Sequence, residues 1–168
     1  MAWVWLAFCA FFSMVLETVL GNHGVAVPVV HVVAFYLVVA FGWQRALVPM
    51  ALAGTLLDVV LGRTFPCSLL ALPVVMVLAL FWRRQGDCRH RLVQAIPGGL
   101  VGLISGSAVI ACERVLTAQL NGPLVLGLVG LLLRVSVGGA VALPVLAWVL
   151  DAAGRRLAVG GYSHAQDT

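Results

Sequence analysis

The sequence predicts an all-α membrane protein, a single polytopic bundle of about six transmembrane helices with little mass outside the bilayer. Composition points there first. Hydrophobic residues make up 62% of the chain and charged residues 10%, against roughly 45–50% and about 25% in soluble domains. The mean hydropathy is +1.10, and a water-soluble chain this apolar has nowhere to put its surface. Patterning points the same way. Runs such as Leu124-Val125-Leu126 and Leu131-Leu132-Leu133 do not alternate as barrel strands would. An open sheet cannot satisfy its backbone in lipid, so helix remains. Length completes the case. A span needs about 20 residues, so six of them use nearly all 168 residues and leave no soluble catalytic domain.

The first span runs from about Ala2 to Leu20 and ends at Gly21-Asn22-His23-Gly24. It lacks a basic n-region and a small-x-small cleavage site, which favours a retained span over a signal peptide. The second covers Val25 to Trp43, with Pro28 in its first turn, where a missing N–H does no harm. Gln44-Arg45 breaks the apolar run. A shorter third span covers Ala46 to Leu61, with Pro49 in its first turn, and stops at Gly62-Arg63-Thr64. If that segment is re-entrant, the count falls to five and the C-terminus changes sides. The fourth covers Phe65 to Trp82, with Pro66 early and Pro73 inside. A polar stretch from Arg83 to Arg91 follows, and then the fifth span, Leu92 to Leu116. After a turn from Thr117 to Pro123, the sixth runs from Leu124 to Leu150. The transmembrane domain thus occupies residues 1–151, and the more polar tail, 152–168, is expected to be mobile.

Basic residues report topology before they report nucleic acid in such a chain. All of them are arginine. Arg83, Arg84, Arg89 and Arg91 lie between spans four and five, Arg155 and Arg156 follow span six, and Arg45 lies between two and three. The alternate loops carry only Arg63. The positive-inside rule therefore places both termini in the cytoplasm. It also puts all five tryptophans at the cytoplasmic ends, whereas interfacial Trp normally occurs at both faces. The basic loop Arg83, Arg84, Arg89, Arg91 is expected to meet anionic lipid, with a cytoplasmic protein as the other candidate.

Charges inside the spans need an explanation, because one at the bilayer centre costs roughly 2.5–3.5 kcal/mol. Asp58 and Arg134 are the two expected to lie deep enough to need a partner. An interhelical Asp58–Arg134 contact is the expectation, with Glu113 as a rival partner for the arginine. Glu17, Glu113 and Arg114 are expected to snorkel to the outer interface. His31 is expected to be buried and hydrogen-bonded rather than a metal ligand. Gly54, Asp58 and Gly62 share a spacing of four, hence one helix face. Gly98, Gly102 and Gly106 repeat that spacing as a doubled G-x-x-x-G ridge for close helix packing, either within the bundle or against another protein. The cysteines (Cys9, Cys67, Cys88, Cys112) form no C-x-x-C pair and are expected to be inert. No metal cluster, no nucleophile beside a base and no phosphate loop is apparent, so neither cofactor nor enzymatic chemistry is expected.

The segment from Gly54 through Asp58 and Gly62 to Pro66, set between a span beginning near Pro28 and a later span, resembles the rod shape-determining protein MreD family. The ending, Pro144-Val-Leu-Ala-Trp-Val-Leu-Asp followed by Arg155-Arg156, is similar to that family's last span and basic finish. The resemblance is best over residues 28–82. The family often has a further glycine where this chain has Pro66, so the turn after span three is expected to be shaped differently. The resemblance implies a non-enzymatic scaffold of the bacterial elongation machinery, which binds MreC and helps organise peptidoglycan synthesis. MreB, RodA and a class B penicillin-binding protein would complete the assembly. It also implies a bundle similar to the substrate-binding subunits of energy-coupling-factor vitamin transporters. That likeness supplies the alternative function, a transporter subunit with a ligand pocket at the outer face.

Overall fold

The computed structural model describes residues 2–63, 65–85, 91–117 and 125–156. They form six helices: α1 (Ala2–Asn22), α2 (Val29–Phe41), α3 (Trp43–Val60), α4 (Cys67–Gln85), α5 (Arg91–Thr117) and α6 (Val125–Arg156). Four contain stretches long and apolar enough to cross a membrane, namely Trp3–Asn22, Cys67–Arg84, Val93–Cys112 and Gly127–Gly154. These mark the chain as a membrane protein. The other two are of a different kind. α2 has 13 residues, so it rises only about 20 Å, short of the roughly 30 Å hydrocarbon layer. α3 is diluted by Gln44, Arg45 and Asp58.

α2 is the centre of the bundle. Every residue from Val29 to Val39 is buried, and α2 packs against each of the other five helices. Its apolar residues lie all round the helix, leaving no polar face to turn outward, and such a helix belongs inside. α1 and α6 flank it without touching one another among the described residues. The long helices α1 and α6 instead expose large apolar side chains, among them Phe8, Phe11, Val15, Val137, Val141 and Val145.

α5 and α6 pack most closely because glycine removes the side chains between them. A Cβ on Gly98 would strike the Gly139 carbonyl oxygen, and one on Gly102 the Val135 carbonyl oxygen. A Cβ on Gly139 would in turn meet the Gly98 carbonyl oxygen. Ser136 Oγ donates to the Gly99 carbonyl at 3.1 Å across the same seam. With no hydrophobic drive between helices in lipid, backbone-to-backbone contact and such hydrogen bonds supply the adhesion.

Several boundaries differ from the sequence-based expectation. Residues 25–28 are not helical, and Pro28 caps α2 rather than lying inside its first turn. A single residue, Gly42, separates α2 from α3 through its positive φ of 87°. Gln44 and Arg45 therefore lie within α3, and Pro49 stands in its interior rather than its first turn. Arg83 and Arg84 close the last turn of α4 rather than opening a loop. The guanidinium of Arg83 reaches back to the Gly42 turn, where its Nη1 would be 3.5 Å from a Cβ. α6 continues to Arg156, so the start of the expected tail is helical, and residues 157–168 lie outside the described residues.

Candidate functional site

α1 and α3 finish where α2 and α4 begin, and at that distal end lie the buried polar side chains of His31, Asp58 and Ser68, with Ser105 nearby on α5. Both new helices start after a proline, Pro28 or Pro66, which offers no side-chain acceptor to the exposed first-turn amides. A carboxylate from the preceding helix takes over in each case. Glu17 of α1 accepts the Val30 N–H through Oε2 at 2.7 Å. Asp58 of α3 accepts the Ser68 N–H through Oδ2 at 2.9 Å. Each acidic side chain is thus a helix cap supplied from outside the helix it caps, in the region where the N-terminal dipole favours negative charge.

Asp58 is bound on its other oxygen as well. Ser68 Oγ and Arg63 Nη1 both donate to Oδ1, each at 2.9 Å. The local chain dictates the Arg63 contact. α3 ends in a Schellman turn: the Gly62 N–H bonds to Val59 O and the Arg63 N–H to Asp58 O. Gly62 has a φ of 64°, which an L side chain rarely adopts. That reversal brings residue 63 back over residue 58, so the arginine reaches the carboxylate without leaving its own turn. The pair is asymmetric in exposure, with Arg63 24% and Asp58 4% exposed at the side chain.

His31, in the first turn of α2, is buried and lies 3.1 Å through Nε2 from the Ser68 carbonyl oxygen. A carbonyl can only accept, so Nε2 carries the proton and Nδ1 of the neutral ring is a bare acceptor. Nδ1 has no hydrogen-bond partner. Ser105 of α5 is buried and donates to Val101 O at 2.8 Å, which leaves its oxygen lone pairs available. Glu17, His31, Arg63 and Ser105 all line one cavity of about 180 Å³, whose other walls are mostly apolar, including Val25, Leu61, Val109 and Val135.

These contacts correct two expectations. The partner of Asp58 is Arg63, five residues on, and not Arg134. α3 and α6 do not touch among the described residues, and Arg134 is exposed. A local turn satisfies the buried carboxylate before a distant helix can. Glu17 does not snorkel away from the bundle but turns inward to α2. The Glu113 and Arg114 side chains lie outside the described residues, as do Cys88, Arg89 and the side chain of Arg91.

The glycines divide by role. Gly54 faces α4, where a Cβ would lie 3.2 Å from Ser68 Cβ. Gly62 belongs to the turn, with nothing within 4 Å of its Cβ position, so it is no packing residue. Gly98, Gly102 and Gly106 all face α6. Cys9, Cys67 and Cys112 are buried free thiols, with Cys67 and Cys112 in mutual contact between α4 and α5. Among the described residues no three His, Cys, Asp or Glu side chains gather as a metal site requires.

Comparison with known protein families, curated proteins and solved structures finds no match to this chain. Sequence reasoning did not single out Arg63, Ser68, Ser105 or Gly139 as members of any site. Only Arg63 carried a signal, since a glycine four residues after Asp58 and an arginine next to it fit a Schellman turn.

Proposed function

We propose that the chain is a non-enzymatic scaffold of the bacterial cell-elongation machinery, a member of the MreD group that binds MreC and helps organise peptidoglycan synthesis. In this reading all six helices lie in the cytoplasmic membrane with both termini on the cytoplasmic side, and the basic groups around Arg83 and Arg84 meet anionic lipid. MreB, RodA and a class B penicillin-binding protein belong to the larger assembly.

The observation that supports it is how the Gly54–Pro66 segment is used. Its aspartate caps α4, its second glycine turns the chain, and the arginine after it neutralises the aspartate. The segment that carries the family resemblance builds the bundle, and partner recognition is left to apolar helix faces such as those of α1 and α6. Affinity purification in mild detergent tests it: MreC should co-purify, and depletion should round rod-shaped cells without altering isolated transglycosylase activity.

The cavity at Glu17, His31 and Arg63 favours a second reading, the substrate-binding subunit of a vitamin transporter. Its volume weighs against that. At about 180 Å³ it falls below the roughly 300–1,000 Å³ of ordinary ligand pockets. Recovery of a bound vitamin, with transporter ATPases and without MreC, would reverse the preference.

A further inference from the structure

We infer that the distal cavity between α1, α2, α5 and α6 is a binding site for a primary ammonium group carried on a short apolar body. The inference goes beyond the scaffold reading and does not depend on it.

The lining sets the chemistry of the head. Glu17 uses Oε2 for the Val30 amide and makes no ion pair with Arg63. The Arg63 charge is matched by Asp58 at 2.9 Å. With Arg63 paired to Asp58, Glu17 is the lining carboxyl that has no cationic partner within ion-pair distance among the described residues. Apart from the Arg63 guanidinium, whose Nη1 is turned to Asp58, the polar side chains of the lining offer acceptors. The Glu17 carboxylate, His31 Nδ1 and the Ser105 oxygen are acceptors, and His31 Nδ1 is buried without a donor. A ligand with three N–H donors and a positive charge complements this set, whereas a carboxylate or phosphate would face the wrong charge.

Size and walls set the body. At about 30 Å³ per water-sized group, 180 Å³ holds about six such groups. The remaining lining residues, such as Val25, Leu61, Val109, Leu131 and Val135, suit a short hydrocarbon. Two sources can present that chemistry. One is a free alkylamine. The other is an aminolipid headgroup, because a wholly apolar groove lies between α1 and α6, lined by Leu16, Leu20, Val29, Val141 and Val145. The two cavities share Val27 as a wall.

The test is thermal unfolding of the full chain in dodecyl maltoside, titrated with n-pentylammonium chloride. Sodium chloride at equal ionic strength, 1-pentanol and sodium pentanoate serve as controls. Pentylammonium should raise the midpoint saturably and the controls should not. Glu17→Gln keeps an acceptor for the Val30 amide, so it should fold, yet bind the ammonium about ten- to a hundredfold more weakly, the range expected for a charged hydrogen bond. Val109→Phe fills the cavity from a different helix and should abolish the shift. Dihexanoyl-phosphatidylethanolamine against its phosphatidylglycerol counterpart separates the sources: preferential stabilisation by the former assigns the site to a lipid head, and response to the free amine alone assigns it to a soluble one. Equal shifts from pentanol or pentanoate, no shift from either amine, or undiminished binding in both variants would overturn the inference.

Discussion

Asp58 accepts the backbone N–H of Ser68 at 2.9 Å, so a side chain near the end of α3 caps the first turn of α4. Its removal strands several groups at once. Asp58→Ala leaves the Ser68 amide, the Ser68 hydroxyl and the Arg63 guanidinium without their acceptor. Unpartnered buried donors cost about 1–3 kcal/mol each. Arg63 is partly solvated, which softens its share, so a loss of about 3 kcal/mol is expected in all. Asp58→Asn retains one carbonyl acceptor and should lose roughly half as much. Thermal unfolding in detergent, followed by circular dichroism, checks the order. Arg134→Ala, on an exposed position, should stay within about 0.5 kcal/mol of the parent.

Glu17 plays the corresponding part for α2, and its contribution is separable. It caps the first turn of α2 through the Val30 amide, so Glu17→Ala should cost about 1–2 kcal/mol, as loss of an N-cap does. Glu17→Gln should cost less. Amide exchange read by mass spectrometry localises the effect: protection should fall at the start of α2 around Val30, while α4 stays protected. Loss of protection spread evenly over the bundle would contradict the assignment.

How far the sequence disclosed this arrangement depends on which kind of contact is involved. The spacing Gly54, Asp58, Gly62 is the same whether the last glycine lies in the helix or just beyond it. The Arg63 N–H bond to Asp58 O decides the matter, and periodicity does not encode it. The buried carboxylate announced its need for a partner, but a charge count cannot distinguish a local arginine from one on another helix. The Gly98–Gly106 ridge was visible as a ridge. Its counterpart, Ser136 to Gly139, was not, because a glycine face states how closely something approaches and not which helix does so. Uniform apolarity over Val29–Val39 was equally plain. Whether lipid or protein covers such a helix is not written in composition, since both are apolar.

Tyr36 gives a test at the opposite end of the bundle. Its hydroxyl donates to Asp151 Oδ1 at 2.7 Å and ties the buried centre of α2 to the last turns of α6. Tyr36→Phe keeps the ring, which is 1% exposed, and removes the hydroxyl. A hydrogen bond to a charged group contributes about 1.5–3 kcal/mol, so a loss near the lower bound is expected because Asp151 is only half-buried. The mutant should also become more sensitive to proteolysis near Arg156. Unchanged cleavage with unchanged midpoint would mean that the Tyr36–Asp151 hydrogen bond does not anchor α6.

The glycine seam between α5 and α6 makes a graded prediction, because the atoms facing each position differ in how far they can yield. At Gly102 an added Cβ meets the Val135 carbonyl oxygen and would lie 2.7 Å from Ser136 Cα. At Gly98 it meets the Gly139 carbonyl oxygen and would lie 2.9 Å from Leu143 Cβ. Both obstacles include backbone, which moves only if the helices separate. Gly102→Ala and Gly98→Ala should therefore each cost at least about 1–3 kcal/mol, the usual penalty of overpacking. At Gly106 the nearest atom is the end of a flexible side chain, Leu132 Cδ2 at 3.1 Å, which can rotate aside. Gly106→Ala should be close to neutral. Gly130 on α6 has nothing within 4 Å, so Gly130→Ala should gain up to about 1 kcal/mol from helix propensity. The fraction of each variant that stays monodisperse after heating in detergent gives the ranking. If Gly102→Ala proved as robust as Gly130→Ala, the close α5–α6 seam would not exist in the folded protein.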